Sequence, residues 1–330
     1  MAQFVVPPTA PTPRRPADIA AAAAPASAFA RALRNRLFLA LCLVATGIAV
    51  LTLVVLLVTI WREGAGSLSW DFLGRFASRK AADAGIKAPL WGSIWVCAVC
   101  ALTALPIGVG TALYLEEFAP KSRLTRFISI NISNLAGVPS IVYGILGLTA
   151  FVRLFGMANP DSPIEIGDPE SFLYLRLPFG SGVLSGGLTL MLVVLPIVIV
   201  SSREALRSVP RSLRAGSLAL GATTWQTTWN ITLPASIPMI MTGAILAMSR
   251  AIGEAAPILV LGVPLFSRAT PVNLMSDFTV LPLQIFNWAG RPQAEFHDLA
   301  AAAIIVLLAV LLTFNAVAVL IRQRLQSTAN

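Results

Sequence analysis

Long apolar stretches recur along this chain, and each is long enough to cross a lipid bilayer as a helix. The first, Leu37–Trp61, contains about 25 residues and no charged side chain, whereas roughly 20 residues suffice to span the hydrocarbon core. Only 12% of all residues are charged and 56% are hydrophobic, which excludes an ordinary soluble domain. The sequence therefore predicts an all-α integral membrane protein with six transmembrane helices, at residues 37–61, 91–115, 127–155, 183–202, 237–263 and 299–321.

The residues that flank these spans predict the orientation of the chain. Residues 1–30 are rich in alanine and proline, a composition that buries little surface and breaks helices, so we expect a disordered cytoplasmic tail ahead of a membrane domain at 31–330. Arg31, Arg34 and Arg36 directly precede the first span. Because basic residues collect at the cytoplasmic ends of spans, this flank and the basic clusters further along predict that both termini are cytoplasmic.

A basic segment separates the fourth and fifth spans. It opens with four arginines between Arg203 and Arg214, and we expect a segment of that charge at the cytoplasmic face. A helical pattern follows, which is interrupted at Gly221 and ends at Pro234. Since glycine and proline disfavour a helix interior, the pattern predicts a short helix, a turn and a second short helix that stops at the proline.

Part of this segment resembles a known loop. Gly221, nine further residues and then Ile231-x-Leu233-Pro234 are similar to the back half of the EAA loop, by which permeases of bacterial ABC importers contact their ATPase subunits. The resemblance implies a type I ABC-importer permease fold with a cytoplasmic coupling helix between spans 4 and 5. It assigns these four residues to the ATPase contact. We refer to residues 203–234 as the coupling segment.

The front half of the same loop departs from the family pattern. Ala215-Gly216-Ser217 stand where the family has Glu-Ala-Ala. The resemblance still places these three residues in the ATPase contact, but without a glutamate to form a salt bridge to the partner. The glycine and proline that shape the loop are retained.

The fifth predicted span contains two charged residues. Arg250 lies thirteen residues after Ile237, or roughly 20 Å along a helix, and Glu254 lies on the same helical face. A charge inside the bilayer is costly and generally has a partner. Two interpretations follow: a structural ion pair that holds two helices together, or an arginine that attracts an anion in a pathway while the glutamate holds its side chain.

The residues around this pair resemble a family signature. Ser249-Arg250-Ala-Ile-Gly-Glu254-Ala-Ala-Pro257 is similar to a string in phosphate importer permeases of the PstA type, as is the run from Asn131 to Gly144 in the third span. The resemblance implies that Ser249, Arg250 and Glu254 line the path of inorganic phosphate. It also implies three partners: a PstC-type permease, a PstB-type ATPase dimer and a PstS-type phosphate-binding protein.

Several functions are excluded by what the sequence lacks. The three lysines, Lys80, Lys87 and Lys121, lie outside any ATP-binding loop motif, so energy for uphill transport must come from another subunit, and we expect no cofactor and no enzymatic activity. Cys97 and Cys100 have no second pair for a metal site and are read as small apolar residues. Nucleic acid is excluded because the positive charge forms no basic folded face with exposed aromatic residues.

Two alternatives to a phosphate importer stay open at this stage. One is a permease for another oxyanion, sulfate or molybdate. The other is a secondary transporter or channel that acts alone, although such a protein is expected to contain inverted repeats, and residues 37–155 contain no counterpart of the coupling segment.

Overall fold

The computed structural model describes residues 25–156, 163–168, 171 and 174–327. Apart from a small antiparallel hairpin, β1 (Ile164–Ile166) with β2 (Leu175–Leu177), the regular elements are helical, as the sequence predicts. In chain order the helices are α1 (Pro25–Gly64), α2 (Trp70–Gly74), α3 (Lys87–Leu113), α4 (Arg123–Leu135), α5 (Ser140–Gly147), α6 (Val183–Ser208), α7 (Arg211–Ala219), α8 (Thr224–Thr227), α9 (Leu233–Gly253), α10 (Ala256–Val260), α11 (Leu281–Ala289) and α12 (Ala294–Ser327).

The chain divides between Thr59 and Ile60 into two compact units, and the part of α1 up to Thr59 belongs to the first. Helix α1 begins at Pro25, so the end of the segment 1–30 that was predicted to be a disordered tail is helical. The rest of that segment, residues 1–24, lies outside the described residues. From Arg31 to Thr59 every side chain of α1 is exposed, and a helix that is apolar on all sides is suited to a lipid environment.

Among the described residues, five helices are long and apolar enough to cross a membrane, and a bent pair raises the number to six. That pair is α4 and α5, whose axes are bent by 105°. The sequence predicts one span over 127–155, whereas the structure has two helices in this region. The break falls before Pro139, which has no amide hydrogen and disfavours helical geometry in Val138.

The fourth and fifth spans also end elsewhere than predicted. Helix α6 continues past residue 202 to Ser208, so it carries Arg203 and Arg207. Helix α9 ends at Gly253 and not at residue 263, and the short helix α10 follows. The reason is Pro257. In a continuous helix its ring would collide with the carbonyl of Gly253, and its nitrogen has no hydrogen to donate to that carbonyl.

The main core forms where α3, α6 and α9 pack together. The close approach depends on glycine: a Cβ at Gly187 of α6 would collide with Val99 of α3, and one at Gly243 of α9 would collide with Ser201 of α6. Small residues of this kind let membrane helices approach closely. The buried side chains between the three helices include Val96, Cys100, Val194, Val198, Ala247 and Ala251.

A second core lies between α2, α11 and α12. Trp288 of α11 is fully buried between Phe72 and Phe296, with ring centroids 6.1 and 6.4 Å away. The first amide of α11, at Leu281, donates to Ser93 Oγ at 2.9 Å. This bond fixes the start of α11 against α3, so the two cores form one framework within the second unit.

Candidate functional site

The coupling segment contains the helix, turn and second helix that its sequence predicts. Helix α7 ends at Ala219, and the chain reverses at Gly221, whose φ of +86° is a left-handed conformation that glycine adopts without strain. Thr223 caps α8 by accepting from the amide of Gln226, and the Gln226 side chain accepts from the amide of Thr223. This reciprocal capping gives the turn a defined shape.

Helix α8 does not stop at Pro234, contrary to the prediction. A π-helical turn, Thr228–Thr232, joins α8 to α9, and Pro234 lies in the first turn of α9. Proline is tolerated there because the first turn of a helix needs few amide donors. The end of the coupling segment is therefore continuous with the fifth span, and Ile231 and Leu233 lie half buried along this junction.

The three residues that replace the family's Glu-Ala-Ala lie on α7. Ala215 and Gly216 are exposed, and the space around Gly216 is open. The Ser217 hydroxyl lies 2.9 Å from the hydroxyl of Thr227 on α8. Ser217 thus connects α7 to α8, while Ala215 and Gly216 expose only a methyl group and backbone atoms.

Three ion pairs that sequence reasoning missed connect the coupling segment to the π-helical turn Tyr114–Phe118, which continues α3. Arg214 of α7 donates through Nη2 to Oε1 of Glu117 at 2.9 Å and to the carbonyl of Leu206 at 2.7 Å. Glu116 accepts from Arg203 Nε at 2.6 Å and from both Nε and Nη2 of Arg207, at 3.0 and 2.9 Å. The signal in the sequence was two adjacent glutamates at the end of an apolar run, on the side where the four arginines are expected.

An exposed apolar surface lies at the tip of the coupling segment. The side chain of Leu220 is 91% exposed. Trp225 stacks on Trp229 with ring centroids 5.8 Å apart, and Phe118 contacts Trp225 at the same distance. Both tryptophans are exposed, although side chains of this size are usually buried. A cluster of exposed aromatic side chains of this kind is typical of a contact with another protein.

The second candidate site is the pair predicted in the fifth span. Arg250 lies in the last turn of α9, and its Nε donates to Oε1 of Glu254 at 3.1 Å. A cation there also interacts favourably with the unpaired carbonyls at the helix end. The Arg250 side chain is 47% exposed and that of Glu254 is 17% exposed. Among the described residues the pair joins no second span, so no contact in the structure supports the interpretation as an ion pair that holds two helices together.

Ser249 faces a different neighbour from Arg250. Its hydroxyl donates to Oδ1 of Asn315 on α12 at 2.7 Å and lies 2.8 Å from the Ile245 carbonyl. Seven residues earlier, Thr242 Oγ1 accepts from Nη1 of Arg322, also on α12, at 2.8 Å. These two contacts form a polar seam between α9 and α12. The structure therefore brings Arg250 and Glu254 together and places Ser249 on another face.

The two strings that resemble the phosphate permeases meet in the structure. Helix α10 packs against α5, and Gly144 contacts Pro257 so closely that a Cβ would lie 2.8 Å from the proline Cα. Because Pro257 follows Glu254 by three residues, the broken third span lies beside the end of the fifth. The tertiary fold thus gathers these apolar, small-residue segments next to the Arg250–Glu254 pair.

Comparison with known sequences gives one family. Residues 104–327 match the family described as "Binding-protein-dependent transport system inner membrane component". The probable ABC transporter permease protein YqgI of Bacillus subtilis is 32% identical over 259 residues, which cover 74% of this chain and 81% of that protein.

Two similar proteins are named for phosphate transport. The phosphate transport system permease protein PstC of Pasteurella multocida is 36% identical over 173 residues, 52% of this chain and 54% of that protein, so the chain spans about half the length of this relative. The phosphate transport system permease protein PstA 1 of Mycobacterium tuberculosis is 30% identical over 241 residues, 72% of this chain and 70% of that protein.

A solved structure has the same fold. A chain of the bacterial alginate ABC transporter, in complex with alginate pentasaccharide-bound periplasmic protein, superposes with a TM-score of 0.59 at 17% identity. The match covers 87% of this chain and 94% of that chain. At this identity the likeness concerns the fold alone, and it confirms the predicted permease architecture.

Proposed function

This chain belongs to the family of binding-protein-dependent transport system inner membrane components, and from that premise we propose that it is a permease subunit of an ATP-driven importer of inorganic phosphate. The names of the PstC and PstA 1 relatives support phosphate as the substrate. Within the chain, one observation carries the proposal: a half-exposed arginine, Arg250, at the end of an otherwise uncharged helix, α9.

Arg250 has the chemistry that an oxyanion requires. Its planar guanidinium can donate two parallel hydrogen bonds to two oxygens of a phosphate. In the ion pair only Nε donates to Glu254, so the terminal nitrogens are available to a ligand. We infer that the anion contacts these nitrogens while Glu254 orients the side chain and weakens the hold on the anion, which favours release.

The position of Arg250 along α9 fits a site within the membrane. Arg250 follows Leu233 by seventeen residues, or roughly 25 Å along a helix, and the hydrocarbon core is about 30 Å thick. If the coupling segment and both termini are cytoplasmic, as proposed here, Arg250 lies in the outer part of the bilayer. A charge at that depth is expected to face a cavity or a second subunit and not lipid.

The coupling segment is proposed to receive the energy of ATP hydrolysis from a separate ATPase. Its exposed tip offers an apolar contact surface, and its end is continuous with α9. A displacement of α7 and α8 would therefore be transmitted to the helix that carries Arg250. The proposed partners are a PstC-type permease that completes the pathway, a PstB-type ATPase dimer and a PstS-type phosphate-binding protein.

The test is phosphate uptake by proteoliposomes that contain the permease pair and its ATPase, with ATP inside and the binding protein outside. We expect Arg250→Ala to lower the uptake of labelled phosphate by about tenfold or more, because it removes a charge-assisted, bidentate contact. Arg268→Ala removes an exposed arginine whose guanidinium lies 5.6 Å from the centroid of the Phe266 ring and serves as the control. Normal uptake by the Arg250→Ala protein would refute the assignment.

The same preparation decides between oxyanions. A phosphate permease is expected to keep its uptake of labelled phosphate when sulfate or molybdate is added in tenfold excess. Uptake of labelled sulfate or molybdate at a higher rate than phosphate would favour the alternative permease. Uptake that persists without the ATPase would favour a transporter or channel that acts alone.

A further inference from the structure

A cavity that plays no part in the proposed transport path lies beside the coupling segment. Its volume is about 430 Å³, and its walls are the π-helical turn that continues α3, the loop that follows it, the first turns of α4 and the last turns of α6. Four cationic side chains and one carboxylate line it. Arg250 lies at the opposite end of α9 from the coupling segment, so this cavity and the proposed transport site are separate.

The carboxylate does not balance the positive charge of the cavity. Glu116 pairs with Arg203 and Arg207, and Arg207 also pairs with Glu204. Lys121 and Arg126, which are both exposed, form no ion pair within the part of the chain that the structure describes. Two cations on adjacent walls are thus left without an anion.

Further donors surround these cations. Arg203 uses only Nε toward Glu116, and no acceptor within the described residues contacts its terminal nitrogens. The hydroxyls of Ser122, Thr125 and Ser129 also line the cavity, and those of Thr125 and Ser129 donate to the carbonyls of Pro120 and Thr125. A group with several oxygens and a negative charge would therefore meet cations whose N–H donors are unused.

We propose that this cavity binds a phosphate group, supplied either by inorganic phosphate or by the headgroup of an anionic phospholipid. In both ligands a tetrahedral phosphorus carries negatively charged oxygens. A lysine ammonium binds such oxygens as a point charge, and an arginine guanidinium binds them with its planar fork. The bound group contacts Lys121 and Arg126 and reaches the free nitrogens of Arg203. Since Glu116 pairs Arg203 and Arg207 with the π-helical turn that continues α3, a ligand here touches the arginines that anchor the start of the coupling segment.

The first arm of the test uses inorganic phosphate. The full chain, assembled with its partner permease and ATPase, is placed in phosphatidylcholine nanodiscs and titrated with phosphate by calorimetry. The Lys121→Gln/Arg126→Gln variant is expected to bind about tenfold or more weakly, because two charge-assisted contacts are lost. Parent and variant both carry Arg250→Gln in this arm, so that phosphate bound at the proposed transport site does not contribute to the titration.

The second arm uses lipid and no free phosphate. Nanodiscs are prepared from an equal mixture of phosphatidylglycerol and phosphatidylcholine, and the lipids retained by the assembly are counted by native mass spectrometry. If the ligand is a headgroup, the same double variant retains less phosphatidylglycerol than the parent protein, since basic side chains near a membrane surface attract anionic lipid.

Controls keep the result interpretable. Arg123→Gln removes a neighbouring exposed arginine that does not line the cavity and should bind like the parent in both arms. The single variants Lys121→Gln and Arg126→Gln, each expected to weaken binding by about threefold, serve if the double variant does not assemble. A defect in the first arm identifies inorganic phosphate, and one in the second identifies lipid. No defect in either arm overturns the proposal.

Discussion

Arg214 of α7 and Glu117, in the π-helical turn that continues α3, form an ion pair with Nη2 and Oε1 2.9 Å apart, although 97 residues separate them in sequence. Arg214 directly precedes Ala215-Gly216-Ser217, which replace the family's Glu-Ala-Ala. The coupling segment thus has an anchor within its own chain. Both side chains are largely buried, with exposed fractions of 22% and 11%.

Loss of this anchor is expected to destabilise the assembly. Glu117→Gln leaves Arg214 with the Leu206 carbonyl but without a counter-charge, at a cost of about 1–3 kcal/mol for a hydrogen bond to a charged group. We expect the Tm of the detergent-solubilised protein to fall by roughly 3–8 °C. Glu204→Gln, which removes a mostly exposed partner of Arg207, should change Tm by about 1 °C or less. Equal shifts for the two variants would contradict this.

A second prediction concerns the turn at Gly221. Gly221→Ala forces a side chain into a left-handed conformation, at a cost of about 1–2 kcal/mol, and is expected to change the angle between α7 and α8. Copurification with the ATPase should decrease severalfold. Gly216→Ala is the matched control, because Gly216 lies within α7 at ordinary φ with open space around it; its Tm should be equal or slightly higher. Retained ATPase binding by Gly221→Ala would show that the turn geometry is not required.

A third prediction concerns the exposed tip. Leu220→Asp places a charge where the proposed ATPase contact is apolar, and we expect copurification of the ATPase to fall by about tenfold or more. Because Leu220 is 91% exposed, the Tm of the permease alone should not change. Leu218→Asp, at a half-exposed position on the neighbouring helix, tests whether the effect is confined to the tip. Unchanged pull-down of the ATPase by the Leu220→Asp protein would exclude this residue from the contact.

A fourth prediction separates Ser249 from Arg250. Ser249→Ala leaves Oδ1 of Asn315 without its donor from α9, and interhelical hydrogen bonds in membranes contribute on average about 0.6 kcal/mol. We therefore expect a small fall in Tm and phosphate uptake within about twofold of the parent. Thr242→Val, at the other contact of the polar seam, is expected to behave alike. A tenfold loss of uptake by Ser249→Ala alone would place this hydroxyl in the pathway.

A fifth prediction divides the roles of the Arg250–Glu254 pair. Arg250→Lys keeps the charge but not the planar fork, so uptake should fall less than in Arg250→Ala. Glu254→Gln removes the competing anion, and we expect a lower KM together with a lower kcat, as when a ligand is held more tightly in its ground state. These values are obtained from initial rates over a range of phosphate concentrations. Unaltered KM and kcat in Glu254→Gln would remove the glutamate from the mechanism.

The sequence was sufficient for the local features of this protein. Apolar runs longer than the bilayer thickness leave helices as the available structure, because a backbone in lipid must satisfy its own hydrogen bonds. Gly221 and the polar residues around it likewise predict a reversal between two short helices, since that geometry depends on the conformations of a few adjacent residues.

Only the tertiary structure shows which segments distant in sequence contact one another. Periodicity alone left the third span as one helix, although Pro139 divides it into α4 and α5 at 105°. Periodicity also does not predict that Glu117 pairs with Arg214, or that Ser249 contacts Asn315 on a different face from Arg250. The physical reason is the same in each case: hydropathy depends on residue type along the chain, whereas ion pairs and helix contacts depend on which faces the packed helices present to each other.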